Sequence, residues 1–229
     1  MMTGVNEPSW KGMNTSPRFP EFLDRPLYTL VEVSKYTRLP TSTVQSWLGT
    51  RGLIVPAKRA PSTLSFLNLV EVFVLAAIRR RHGVPMQRTR QAVRYVSQQL
   101  KVDRPLVHQQ FQTDGVDLFV ERLGTIVNAS RSGQLTIKEA MQHRLSRIEW
   151  NEGLAARIFP FTRDDSTDGP RAIVIAPEFG FGQPVIVGTG ARVSVIRERF
   201  RAGEGSKDLA KDYGVTCEQI EEALRMDAA

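Results

Sequence analysis

The chain of 229 residues has one cysteine, Cys217, and three histidines. A single thiol closes no internal disulfide and builds no zinc or iron–sulfur site, so a reducing, cytosolic compartment is expected. Long apolar runs are missing too. The stretch 70–78 is interrupted by Glu71 and falls short of the roughly 18–20 residues of a membrane span. Residues 1–26, polar and containing Pro and Gly, lack the apolar centre of a signal peptide and read as a poorly ordered arm. A cytoplasmic protein with no membrane partner is the expectation. Enzymatic constellations are also absent. No paired carboxylates, Ser/His or Cys/His arrangement stands out, and His108 and His143 have no partner at ligand spacing. The glycine-rich stretches do not suit a nucleotide: Pro184 stands where a phosphate-binding helix would continue, and Gly188-Thr189-Gly190 lacks a following Lys-Ser/Thr. No cofactor, no metal and no catalytic residue are expected.

What is present begins with charge. Lys and Arg number 31 against 24 Asp and Glu, a net of +7. The excess is confined to residues 1–109, which carry 16 basic and 6 acidic side chains; 110–170 carry 7 and 9, and 171–229 carry 8 and 9. Such asymmetry suits contact of the basic half with nucleic acid or a membrane surface, or serves solubility alone. The 41% of hydrophobic residues suffices for a core without staples.

Leu30, Val33 and Tyr36 share one helical face, with Thr29 and Glu32 spaced as a capping box. Pro40 stops this helix near residue 38. A second helix is expected over 41–48, capped by Thr41, Ser42 or Thr43, with Val44, Trp47 and Leu48 inward. Two short helices joined by a tight turn form a helix-turn-helix pattern. Its outward residues would be Ser42, Thr43, Gln45 and Ser46, able to reach base edges, or simply a solvated face. Residues 51–56 and 64–66 read as strands flanking a basic turn, a wing with Lys58 and Arg59 at its tip against phosphates. Arg51, Arg79 and Arg80 complete the candidate DNA-binding set. Helices follow over 67–82, with Leu69, Val72, Phe73, Ala76 and Ala77 inward, and over 86–100.

Within 109–128, Asp114-Gly115 between alternating apolar residues predicts a hairpin in which Phe111, Val116, Leu118, Val120, Ile126 and Val127 form a small antiparallel sheet. A turn at 130–133, a helix over 137–146 and a strand over 156–160 complete this module. Residues 162–171 read as a linker. Beyond it, strands are expected over 173–175 and 185–187, and helices over 195–202, 206–213 and 216–226, with Ser206 and Thr216 as N-caps and Gln219 closing a capping box. The fold class is α+β, mainly α. The division is an arm (1–26), a winged helix-turn-helix (27–104), a small mixed module with a β-hairpin (105–161), a linker (162–171), and a short hairpin with a three-helix bundle (172–229).

Two resemblances attach to these residues. Tyr28-Thr29, the Thr43-Val44-Gln45-Ser46-Trp47 stretch, Gly52-Leu53-Ile54 and the turn from Arg80 to Gly83 make residues 27–100 similar to the DNA-binding domain of MerR-type regulators, which usually carry Arg where this chain has Gln45. Residues 172–226, running from Gln183-Pro184-Val185-Ile186 through Gly188-Thr189 to the helix pair beginning at Ser206, resemble a small trihelical antitoxin-like family formerly of unknown function. The tandem resembles VapB-type antitoxins. That resemblance implies a PIN-domain ribonuclease toxin as partner and repression of the protein's own operon through double-stranded DNA. It also implies a basic side chain set against the toxin's acidic metal site, for which Arg192, Arg197, Arg199 and Arg201 are candidates. A homodimer is expected because operators are commonly two-fold symmetric. The alternatives are a stand-alone MerR-like regulator and an interaction adaptor without a DNA role.

Overall fold

The computed structural model describes residues 20–49, 52–82, 84–163 and 169–226, and for 79–82 the backbone alone. The described residues form a mixed, predominantly helical fold with three two-stranded antiparallel sheets. A short helix α1 (Glu21–Asp24) leads into α2 (Leu30–Thr37). The Thr29 hydroxyl accepts from the Glu32 N–H at 3.2 Å, and the Glu32 carboxylate accepts from the Thr29 N–H at 2.8 Å, the expected capping box. Arg38, in the left-handed region (φ 58°), ends α2, and after Pro40 the chain starts α3 (Thr41–Trp47). The cap differs from expectation. Pro40 occupies the N-cap position, none of Thr41, Ser42 or Thr43 caps, and Thr41 donates to the Ser34 hydroxyl. Val44 and Trp47 are buried as predicted. The Trp47 carbonyl accepts from both Leu53 and Ile54. Gly52 allows this closure, since a Cβ there would stand 2.6 Å from the Leu48 carbonyl carbon.

Strands β1 (Lys58–Arg59) and β2 (Ser62–Thr63) form a hairpin shorter than the expected 51–56 and 64–66. The cause is Asn68. Fully buried in the next helix, it accepts from the Ala57 and Ser65 N–H groups and donates to the Val55 carbonyl, taking the partners a longer ladder would need. Helix α4 (Phe66–His82) is buried nearly all round from Phe66 to Ile78. This pattern belongs to a central helix rather than a surface one, which is why residues beyond the predicted inward face are buried as well. Polar ties hold it as well: Arg104 donates to both oxygens of Glu71 (3.0 and 2.9 Å) and to Asp24 (2.8 Å), and Arg144 donates to the Phe73 carbonyl (3.2 Å).

Helix α5 (Met86–Leu100) spans the predicted residues, and α6 (Val116–Val127) and α7 (Arg131–Leu145) follow. Here the expected sheet over 109–128 is overturned. Residues Phe111–Gly115 form a wide helical turn running directly into α6, and Gly115 has φ −76°, not the positive φ of a two-residue hairpin turn. The buried residues Phe111, Gly115, Phe119 and Leu123 recur every four positions, a helical period that outweighs the Asp-Gly signal. Gly115 serves close packing, since a Cβ there would stand 2.7 Å from the Phe111 ring. Ser130, expected in a turn, caps α7 through the Gly133 N–H. The hairpin of this region lies later, as β3 (Ile148–Asn151) and β4 (Leu154–Ile158). Buried Arg147 donates to the carbonyls of Phe159, Pro160, Gly169 and Pro170, tying both sides of the 164–168 stretch to the end of α7.

Strands β5 (Ile173–Val174) and β6 (Val185–Ile186) pair antiparallel, and Ile175 bridges to Ile158. Helices α8 (Val193–Arg201), α9 (Ser206–Tyr213) and α10 (Cys217–Arg225) bury Ile196, Leu209, Ile220 and Ala223 against one another and the rest of the core. The α10 capping box of Thr216 and Gln219 is present, whereas α9 is preceded by Gly205 and Ser206 is its first residue. A continuous core runs from Leu23 to Met226, so the two ends of the chain share one interior.

Candidate functional site

Two surfaces deserve comparison, one at each end of the chain. On α3, Ser42, Gln45 and Ser46 are exposed and Thr43 is half-buried. The Ser46 hydroxyl is satisfied by the Thr43 carbonyl at 2.7 Å, while the Gln45 amide makes no hydrogen bond within the described residues. The buried Val44 and Trp47 fix the roll of the helix, so these side chains are turned outward by core packing. The hairpin after α3 presents Lys58 and Arg59, both exposed and without an ion pair among the described residues. Arg51 lies outside the described residues, as do the side chains of Arg79 and Arg80.

The four C-terminal arginines separate by environment. Arg199 is committed internally. It donates to both Glu204 oxygens (2.7 and 2.5 Å), bonds Asp212 and lies 5.2 Å over the Tyr213 ring; hydrogen bonds to Glu204, Asp212 and Tyr213 raise its pKa above the usual arginine value. Arg197 is half-buried in a cleft of about 140 Å³ between α2 and α8, with Glu32, Lys35, Tyr36 and Gln183. Arg201 is exposed at the last turn of α8. Arg192, also exposed, lies 5.6 Å over the Phe181 ring.

The seam between the two ends was not legible in the sequence. The Tyr28 hydroxyl donates to the Gly182 carbonyl at 2.9 Å. Tyr36 donates to Gln183 Oε1, whose amide donates to Glu32, each at 3.3 Å. Burial, with Tyr36 and Glu32 adding, pushes the Tyr28 pKa above its ordinary value, so it remains a neutral donor. A second tie joins α10 to the segment after β4. Buried Glu222 accepts from Arg163 at 2.7 Å and from the Thr162 hydroxyl, and Arg225 also pairs with it. Burial pushes the Glu222 pKa up, but the hydrogen bonds from Arg163 and Thr162 and the nearby positive charge hold it below 4.5. No group of three His, Cys, Asp or Glu among the described residues could hold a metal, and none of the described helices is long and apolar enough to cross a membrane.

Over 90% of its length the chain is 32% identical to a Mycobacterium tuberculosis protein named "Putative antitoxin VapB45", of which 95% is covered. The chain belongs to the VapB45 family. A second relative, the uncharacterized protein Rv2308 of the same organism, is 28% identical over 88% of this chain and 90% of that one. The crystal structure of Rv2018 from M. tuberculosis superposes with a TM-score of 0.71 at 30% identity, covering 88% of this chain and 99% of that chain. Residues 173–225 match a family described as "Protein of unknown function (DUF433)", within the segment whose resemblance was noted from its glycine turn and helix pair. Relation to VapB45 is in keeping with a non-enzymatic protein.

Proposed function

We propose that the chain is the antitoxin of a toxin–antitoxin pair that binds and silences a PIN-domain ribonuclease and represses its own operon. The observation that carries the reading is relatedness to VapB45 along nearly the whole chain. In this reading α2, α3 and the β1–β2 hairpin act as a MerR-like winged helix-turn-helix, and α8–α10 act as the trihelical module. Gln45 and its neighbours meet base edges, while Lys58 and Arg59, with Arg51, Arg79 and Arg80, meet phosphates. The supporting geometry is an exposed row of hydrogen-bonding side chains on α3, followed by a hairpin whose two cations make no ion pair among the described residues. The C-terminal region, the near-neutral part of the chain, holds the toxin, and two copies bind a two-fold operator.

The test has two arms. The purified protein is titrated against its own upstream DNA at several salt concentrations, and co-expressed with the product of the adjacent gene. Sequence-preferring binding that weakens with salt, together with a stable complex that blocks ribonuclease activity, is expected. Absence of both would sink the reading. A stand-alone regulator is the second reading, favoured by the cleft between α2 and α8; DNA binding without a toxin in the operon would select it.

A further inference from the structure

Phe181 is anomalous in two independent ways. Its backbone lies in the left-handed region (φ 57°), where a bulky side chain is strained, and its side chain is 80% exposed. Both features oppose folding, and among the described residues it is the Arg192 guanidinium that lies against the ring. The local frame holds the residue in place. Gly180 and Gly182 flank it, both at positive φ, and the Gly182 carbonyl is anchored by the Tyr28 hydroxyl. The tip is therefore fixed, with the ring turned to solvent.

Beside it, Arg192 lies over the ring at 5.6 Å and makes no ion pair among the described residues. Val195, one turn further along α8, is 39% exposed. Glu198 and Arg201 continue the outward stripe at the same spacing. The other side of α8, with Val193 and Arg197, lines the cleft against α2. An immobilised aromatic with a stacked arginine and an aliphatic neighbour is the composition of an interface anchor.

We infer that the Phe181 tip, with Arg192 and Val195, is the anchor by which this chain docks a protein partner whose surface offers an apolar pocket edged by carboxylates. This rests on the toxin-binding reading above, the toxin being that partner. Apolar surface argues for a protein rather than a nucleic acid: Phe179, two residues before Phe181, is 41% exposed and Val195 39%. Glu198 stands between Arg192 and Arg201 on the stripe, and Glu178 is already paired with Arg157. Arg192, without an ion pair among the described residues, is left to pair with a partner's carboxylate.

The experiment uses the full chain and the purified product of the adjacent gene. Phe181→Ala is expected to weaken the complex about thirty-fold or more, and Arg192→Ala about ten-fold, with thermal midpoint and operator binding at wild-type values. Phe181→Gly relieves the left-handed strain and is expected to fold at least as stably as wild type while losing the complex to the same degree. A wild-type complex that Phe181→Ala leaves intact overturns the anchor and spares the toxin reading; absence of any wild-type complex overturns both. A change in the protein's own sedimentation on Phe181→Ala points to a second copy as the occupant. Loss of binding to a single-stranded oligonucleotide points to nucleic acid. Either result overturns the proposal.

Discussion

Helix α2 gives way to α3, and α9 to α10, through three residues each, and the residue after each first helix is left-handed: Arg38 at φ 58° and Gly214 at φ 65°. The two pairs share this turn, but their outward chemistry differs. The exposed residues of α3 are Ser42, Gln45 and Ser46, without charge, beside a cationic hairpin. The exposed residues of α9 and α10 carry both signs of charge, Asp208, Asp212, Glu218 and Glu221 beside Lys207, Lys211 and Arg225. A surface of the second kind has no net positive charge to attract a phosphate backbone, whereas the first has a cationic hairpin beside it. Local architecture therefore does not specify a partner; the side chains that the core turns outward do.

Substitutions that break each pair separately sharpen this contrast. Trp47→Ala empties the core beneath α3 and is expected to cost about 3–5 kcal/mol, read as a lowered thermal midpoint. Glu222→Gln loosens α10 from Thr162 and Arg163 and is expected to cost about 2–3 kcal/mol at neutral pH. It also changes the acid limb. Because the Glu222 pKa is depressed on folding, its contribution is present above pH 4.5 and is lost as pH falls through that value and below. The stability gap between wild type and Glu222→Gln should therefore shrink as pH falls below 4.5, and a constant gap would contradict the assignment. Gln45→Ala is expected to lower discrimination at one operator base pair by about 1–3 kcal/mol. Lys58→Ala should weaken all DNA sequences alike and reduce the slope of log K against log salt by about 0.9. The smallest effect belongs to Glu218→Ala on α10. Its exposed pair with Arg163 is screened by solvent, so the thermal midpoint should barely move and DNA affinity should not fall.

Much of the helical framework was written locally. Thr29 with Glu32 and Thr216 with Gln219 are capping boxes visible in the residues, and the bounds of α5 follow from Pro85 and the apolar period. The region from 111 to 127 was misread because Asp114-Gly115 is a strong turn signal over two residues, whereas the four-residue recurrence of Phe111, Gly115, Phe119 and Leu123 shows only over a longer window. Residues such as Asn68, Arg147 and Glu222 look like surface polar groups in a sequence. Their burial depends on partners that only the tertiary fold supplies, backbone groups for Asn68 and Arg147 and the Thr162 and Arg163 side chains for Glu222. Phe181 offered one signal, an aromatic between two glycines, but its left-handed backbone and exposure depend on Tyr28, more than 150 residues away.

That last contact also has a consequence in time. Tyr28 leaves the ribosome 154 residues before Gly182, an interval on the order of ten seconds at common rates of synthesis. Throughout it the acceptor that the tyrosine hydroxyl meets in the folded chain is not yet made, and the face of α2 that meets the cleft lacks Gln183, Val193 and Arg197. Helix α2 is thus completed by a segment translated 154 residues after Tyr28, so a chain cut short before residue 182 leaves that helix unsealed.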